Sequence, residues 1–217
     1  MKPIGFEPTL TTYGFRQMMF SDIQRIRPLR KPSWRGILIA IPAHPGIVAC
    51  LFLRTQQVLI RRGRVRLAYW TRSLCGFLTG ADIAPGANVG LGLYLVHPVG
   101  VCLGYGSNLG DNITMAAGVV LGVRDLSEED GRSGYGTTAT VGNDVSFGAH
   151  AVVLGGVHIG DNAMIGANSV ILADVPEDAI MLGVPARRVG TQPKPGPKPG
   201  SASDPEPDAA ADAATAD

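Results

Sequence analysis

His97 is the residue in this chain best placed to do chemistry. It lies in LVHPVGVC, from Leu95 to Cys102, where a six-residue repeat running through the sequence slips by two residues. A side chain at such an irregularity can leave the wall that the repeat builds. Imidazole changes charge near neutral pH, so it can take a proton from a hydroxyl without much tuning. Asp82 stands 15 residues earlier, close to one turn of three six-residue units. That spacing puts the two residues on neighbouring turns at the same corner. A carboxylate on the second ring nitrogen would fix the tautomer and stabilise the imidazolium that forms. The competing reading of Asp82 is a turn cap, and a lone histidine is more often structural. His44 precedes Pro45 and reads as a helix-start residue. His158 and His150 occupy outward-facing places in the repeat and read as solvated.

The elements that must position His97 come from the repeat. It reads IAPGAN from Ile83, VGLGLY from Val89, and after the slip LGYGSN, LGDNIT and MAAGVV. It returns as VGNDVS from Val141 and continues through FGAHAV, VLGGVH, IGDNAM, IGANSV and ILADVP. The first place is apolar, the second is usually Gly, and the fifth is mostly small or β-branched. A helix cannot hold that phase, because six residues span about 1.7 turns. A short strand with one inward apolar residue can, with Gly allowing the bend to the next face. Three such rungs close a triangular coil, and coils stack as a parallel β-helix.

The chain divides into three parts. Residues 1–80 form a helical lead-in, 81–190 the β-helix, and 191–217 a Pro-, Ala- and acid-rich tail with nothing to bury, read as disordered. Residues 1–35 read as irregular and basic with a short helix. A helix is predicted from Pro45 to about Arg62, stopped by Gly63, with Ile47, Val48, Leu51, Thr55, Val58 and Leu59 as its apolar face. A second helix is predicted over Val65 to Leu78. The net charge of +1 hides an asymmetry. Residues 1–80 carry 13 Lys and Arg against two acids, 81–190 carry four against 11, and the tail two against five. Either the basic helices lie on acidic faces of neighbouring coils, or they meet a phosphate or an anionic membrane.

Cys50, Cys75 and Cys102 are odd in number and widely spaced. They give no metal or disulfide framework and fit a reducing, cytoplasmic setting. The first residues lack a signal-peptide pattern, and Pro42, His44 and Pro45 interrupt the one long apolar stretch. No transmembrane segment is expected, although peripheral membrane contact is left open. Nothing points to nucleic acid. The repeat is interrupted by VRDLSEEDGRSGYGTTAT, residues 123–140, with four acids and three glycines. Such an excursion must leave the solenoid body, where loops often carry function.

Three stretches carry a family resemblance. GADIAPGANVGLGLYLVHPVGVCLG, ITMAAGVVLG and GANSVILADVPEDAIMLGVPARRVG resemble segments of serine acetyltransferases and their short relatives among the hexapeptide-repeat acyltransferases. The resemblance implies a left-handed β-helix, a homotrimer with active sites between subunits, and acetyl-CoA as donor. It implies His97 as the base that takes a hydroxyl proton, with Asp82 as its partner. It carries Gly122, Ala149, Ala167, Pro185, Ala186 and Arg187 over as donor-binding residues. Small side chains would make room for a pantetheine arm, and Arg187 would meet a phosphate. Fold maintenance is an equal reading for Gly122 and Ala167 alone. His150, next to Ala149, is a secondary candidate. Some hexapeptide proteins hold zinc with histidines between subunits, but their paired-histidine spacing is missing, so no metal is expected.

The sequence departs from the family where an amino-acid acceptor would sit. The family has Asp directly before the catalytic histidine, and this chain has Val96. It has an Arg-His pair late in the loop, and this chain reads GYGTT from Gly134 to Thr138, with Arg132 nearby. It has an Asp in the lead-in, and the nearest match is Lys31. Losing both ends of a zwitterion clamp should weaken serine binding. The expected activity is acetyl transfer to a small-molecule hydroxyl, serine as in the family or a sugar as in its polysaccharide-decorating relatives. A non-catalytic trimeric scaffold is the reading from another class.

Overall fold

The structure is a computed structural model that describes residues 13–26, 34–41, 44–124 and 138–193. Helices α1 (Phe15–Ile26), α2 (Trp34–Ala40), α3 (Gly46–Arg61) and α4 (Val65–Thr79) precede a run of short strands. The helix predicted from Pro45 is α3. Gly63 adopts φ +70° after it, and Arg64 N donates to Leu59 O at 2.8 Å. That six-to-one bond with a left-handed glycine is a Schellman stop.

The strands form three parallel sheets. The first holds β1 (Asp82–Ile83), β4 (Cys102–Leu103), β7 (Val120–Gly122), β10 (Val152–Leu154) and β13 (Val170–Ile171). The second holds β2 (Asn88–Val89), β5 (Asn108–Leu109), β8 (Thr140–Val141) and β11 (His158–Ile159). The third holds β3 (Tyr94–Leu95), β6 (Thr114–Met115), β9 (Ser146–Phe147), β12 (Met164–Ile165), β14 (Ala179–Gly183) and the antiparallel β15 (Ala186–Thr191). From β1 to β14 consecutive strands belong to different sheets, so the chain winds round a three-sided β-helix.

Register shows what the slip does. Cys102 pairs with Val120 and Val152 with Val170, a regular coil of 18 residues. Asp82 pairs with Cys102, a coil of 20. The two extra residues fall in the connection between β3 and β4, which contains His97. The first places of the rungs, from Ile83 to Ile171, point inward and are at most 3% exposed. Burying each such side chain stabilises the fold by about 1.5–3 kcal/mol. Gly, Asn, Asp and one His take left-handed backbone at the corners, and the His is His150 at φ +58°.

Two expectations change. Residues 1–35 contain a full helix of 12 residues, with Met18, Met19, Asp22 and Ile23 buried. The face that α3 buries is also rotated from the predicted one, through Ala49, Cys50, Leu53, Arg54 and Gln57. A buried ion pair explains both. Arg54 donates Nε to Asp22 Oδ2 at 2.9 Å and Nη2 to Asp22 Oδ1 at 2.8 Å. It also donates to Val89 O and Gly90 O at 2.7 Å each, and Leu93 N donates to Asp22 Oδ1 at 2.9 Å. Apolar periodicity cannot anticipate a polar face turned toward the buried carbonyls of Val89 and Gly90. Burial pushes the Asp22 carboxyl up against the pull of Arg54. Burial also works against the guanidinium charge, but Asp22 more than offsets it and raises Arg54.

At the other end the chain stays on the body past Gly190. β15 runs through Thr191, and Gln192 N donates to Asp178 O at 2.7 Å. The tail from residue 194, the loop 125–137 and Lys31 lie outside the described residues.

Candidate active site

His97 sits on the edge where the third sheet passes to the first. Most connections between rungs here are four residues long, but the one from Leu95 to Cys102 has six. Val96 N still donates to Met115 O at 2.9 Å, so the chain leaves the ladder only after Val96. Val101 N closes back on Pro98 O at 3.1 Å. Gly100 takes φ +72° and donates to Gly80 O at 2.9 Å. The extra length carries His97 outward, and its side chain is exposed.

Asp82 lies on the coil before, at the same edge. Asp82 N donates to Val101 O at 2.8 Å, next to the Gly100–Gly80 contact. Its carboxylate is bonded to Arg72 of α4, Nε to Oδ1 at 2.6 Å and Nη2 to Oδ2 at 2.8 Å. No hydrogen bond joins Asp82 to His97. The Arg72 guanidinium beside it holds the Asp82 carboxyl below the usual carboxylate range, against a small opposing effect of burial. The structure thus places the two residues on adjacent coils and gives the carboxylate a cationic partner of its own.

Two of the donor-site candidates continue this edge. Ala149 and Ala167 occupy the same corner on successive coils, and Asn168 N donates to Ala149 O at 2.9 Å. Pro185, Ala186 and Arg187 lie on the hairpin of β14 and β15. That hairpin meets the corner where Gly166 N donates to Met181 O at 2.9 Å and Gly183 N to Ser169 Oγ at 3.1 Å. Arg187 is exposed and reaches only its neighbouring Ala186 O at 3.1 Å. Gly122 is not on this edge. It ends β7 in register with Leu154, where the 123–140 excursion departs. With coils about 4.8 Å apart, the corner of Ala149 is about 10 Å from that of His97, and that of Ala167 about 14 Å.

His150 also belongs to this edge. Its ring covers Gly118, where an added Cβ would collide with His150 Nδ1. His150 N donates to Ala117 O at 2.8 Å, and Gly118 N to Val99 O at 2.9 Å. The ring therefore sits between the His97 coil and the Ala149–Ala167 corner. His158 is exposed on β11 and its N–H binds Asp174, so it lies elsewhere.

Asp111 and Asp161 serve the fold. Leu91 N donates to Asp111 Oδ1, Asp111 N to Asn143 Oδ1 and Asn143 N to Asp161 Oδ1, all at 2.7–2.8 Å, a ladder along one corner. Thr138, which closes the departed GYGTT stretch, donates Oγ1 to Tyr105 O at 3.1 Å. Among the described residues no group of three His, Cys, Asp or Glu stands close enough to hold a metal. Cys50, Cys75 and Cys102 are free thiols, each pushed up by burial.

Residues 138–173 match the family described as bacterial transferase hexapeptide (six repeats). Serine acetyltransferase of Mycobacterium tuberculosis is 37% identical over 179 residues, covering 82% of this chain and 75% of that protein. Serine acetyltransferase of Helicobacter pylori J99 is 35% identical over 178 residues, covering 82% of this chain and 95% of that one. The chain belongs to the serine acetyltransferase family. The solved serine acetyltransferase of Neisseria gonorrhoeae superposes with a TM-score of 0.73 at 32% identity, covering 83% of this chain and 68% of that one. That of Brucella abortus in complex with coenzyme A gives 0.72 at 30%, covering 82% and 69%. The β-helix is accordingly left-handed, as the resemblance implied, and the protein is an acyltransferase.

Arg72 was not anticipated from the sequence, whereas His150, read there as outward-facing, is exposed at its corner. Arg72 had no local signal, since the angle at which α4 meets the first sheet is a tertiary property. The place of His150 was legible: the pattern puts it at a left-handed corner otherwise held by Gly, Asn or Asp, and His is one of the few other residues that adopt such backbone.

Proposed function

We propose that this chain is an acetyl-CoA-dependent serine O-acetyltransferase, with His97 as general base. One observation carries the reading: the edge that begins at His97 runs without a break past Ala149 and Ala167 to the hairpin bearing Arg187. An acyl donor laid along it would have its reacting end at His97 and its phosphates at Arg187. The residues fit such a donor. Alanines at two successive corners leave backbone groups approachable, and Arg187 has no competing acid partner among the described residues. Acetyl-CoA supplies the activated thioester.

His97 takes the proton of the acceptor hydroxyl as its oxygen attacks the thioester carbonyl carbon. The carbon–sulfur bond breaks, an oxygen ester forms, and the imidazolium returns the proton to the departing sulfur. Asp82, one coil away, is the carboxylate proposed to steady the imidazolium from within its pair with Arg72. By the same family reading the protein is a cytoplasmic homotrimer whose sites form between subunits. The solved relatives include serine complexes from Neisseria gonorrhoeae and soybean, which supports serine as the acceptor.

A second reading keeps the chemistry and changes the acceptor to a less charged hydroxyl, such as a sugar. Val96 and GYGTT favour it, because neither offers a charge to a zwitterion. Two lost charge-assisted contacts of about 1.5–3 kcal/mol each would weaken serine by two to four orders of magnitude. Thiol-release kinetics with L-serine, homoserine and a sugar panel decide between them. A submillimolar KM for L-serine establishes the first reading. Saturation only at tens of millimolar, with a sugar outcompeting serine, replaces it with the second.

A further inference from the structure

Helix α4 carries an apolar stripe that no described part of the chain covers. Leu67, Trp70, Leu74 and Phe77 fall at helical spacing on one face and are 46, 75, 48 and 87% exposed. With Leu59 of α3 they line an open groove of about 560 Å³. An exposed apolar surface of this kind marks an interaction site rather than ordinary surface variation.

Charge says what the partner is. Residues 23–81 contain 11 Lys and Arg and no Asp or Glu. Part of this charge is spent within the fold. Arg54 and Arg72 are ion-paired to Asp22 and Asp82, and Arg25 donates to Thr114 Oγ1 at 2.8 Å. Arg62, Arg64 and Arg66, at the N-terminal end of α4, are exposed and have no described partner. The surface facing them must therefore be anionic as well as apolar. A second copy meeting this face with its own α4 would bring the cations of both helices, and no carboxylate of either, to the seam. Trp70 in the stripe and Tyr69 beside it are exposed amphipathic rings suited to a membrane–water boundary. No helix among the described residues is long and apolar enough to cross a membrane, so contact is in the plane of the surface.

We propose that α4 docks the protein on an anionic lipid bilayer. Leu67, Trp70, Leu74 and Phe77 enter the boundary between headgroups and acyl chains, and Arg62, Arg64 and Arg66 meet lipid phosphates. Sedimentation of the full chain with vesicles tests this. The vesicles are phosphatidylcholine alone, or phosphatidylcholine with about one quarter phosphatidylglycerol, at about 0.1 and 0.5 M salt. The expected result is binding to the anionic vesicles, at least about tenfold weaker without the anionic lipid or at high salt. Trp70→Ser with Phe77→Ser should abolish binding while leaving the far-ultraviolet spectrum intact. Arg62→Gln with Arg64→Gln and Arg66→Gln, which removes no apolar contact, should weaken it by at least about tenfold. Three results overturn the proposal. One is a chain that stays in the supernatant with anionic vesicles at low salt. Another is binding that neither set of substitutions changes. The third is a Trp70→Ser, Phe77→Ser variant that falls to a smaller oligomer by light scattering, which would make this face a subunit interface.

Discussion

Asp82 has a partner at hand, and that partner is Arg72. The bidentate contact sits at the surface, with the two side chains 53% and 36% exposed, so solvent screening limits what it contributes to stability. Arg72→Ala should lower stability at neutral pH by less than about 1 kcal/mol. The pH dependence follows from the sign of the shift. Arg72 depresses the Asp82 pKa below its ordinary 3.8. The stabilisation is therefore present above that value and fades below it as the folded carboxylate takes up a proton. Urea denaturation of wild type and variant at neutral pH and near pH 3 measures this, and the difference should be smaller at the lower pH. His97 was legible because a frame slip is visible in a strict repeat. Arg72 was not, because its reach to Asp82 depends on how α4 is set against the first sheet. Asp22 did leave a trace, as the sole acid between Glu7 and Asp82. A lone carboxylate in so basic a stretch has to answer a cation.

At the scale of elements, rungs and lead-in helices obey different rules. A rung needs one apolar residue inward and a permissive corner, so six letters specify it, and Ile83 through Ile171 follow the pattern. The helices are held by contacts between residues far apart in sequence. α1 touches α3 and the turn before β3 through Asp22 and Arg54, which are 32 residues apart. Removing one member of a buried pair leaves an uncompensated charge and costs about 3–5 kcal/mol. Asp22→Asn and Arg54→Met should each show a loss of that size in denaturant unfolding. The double substitution should cost clearly less than the sum of the two, because neither charge is then left alone. Additive losses would mean that the pair does not act as a unit.

For the whole molecule, the β-helix and its chirality came from different sources. Parallel coils follow from periodicity, but the hand came only from the resemblance. The end of the folded body was misjudged by composition. Thr191, Gln192 and Pro193 looked like tail, yet Gln192 N binds Asp178 O, and Asn162 Nδ2 donates to Pro193 O at 3.1 Å. Removing residues 194–217 should leave the melting temperature and activity unchanged, whereas removing 189–217 should lower the melting temperature by several degrees, since it strips the last part of β15 from β14. Thermal melts of the two truncations report this directly.

The central claim is that proton transfer at the head of this edge belongs to His97, while the donor is held further along it. Turnover and coenzyme A affinity of His97→Ala, measured on the same preparation, test it most directly. Loss of a general base costs about 10²- to 10⁴-fold in turnover. The account predicts a loss in that range with coenzyme A affinity within about twofold of wild type, because a base that serves only the acceptor adds nothing to the free energy of donor binding. A variant that keeps more than about a tenth of wild-type turnover would contradict it.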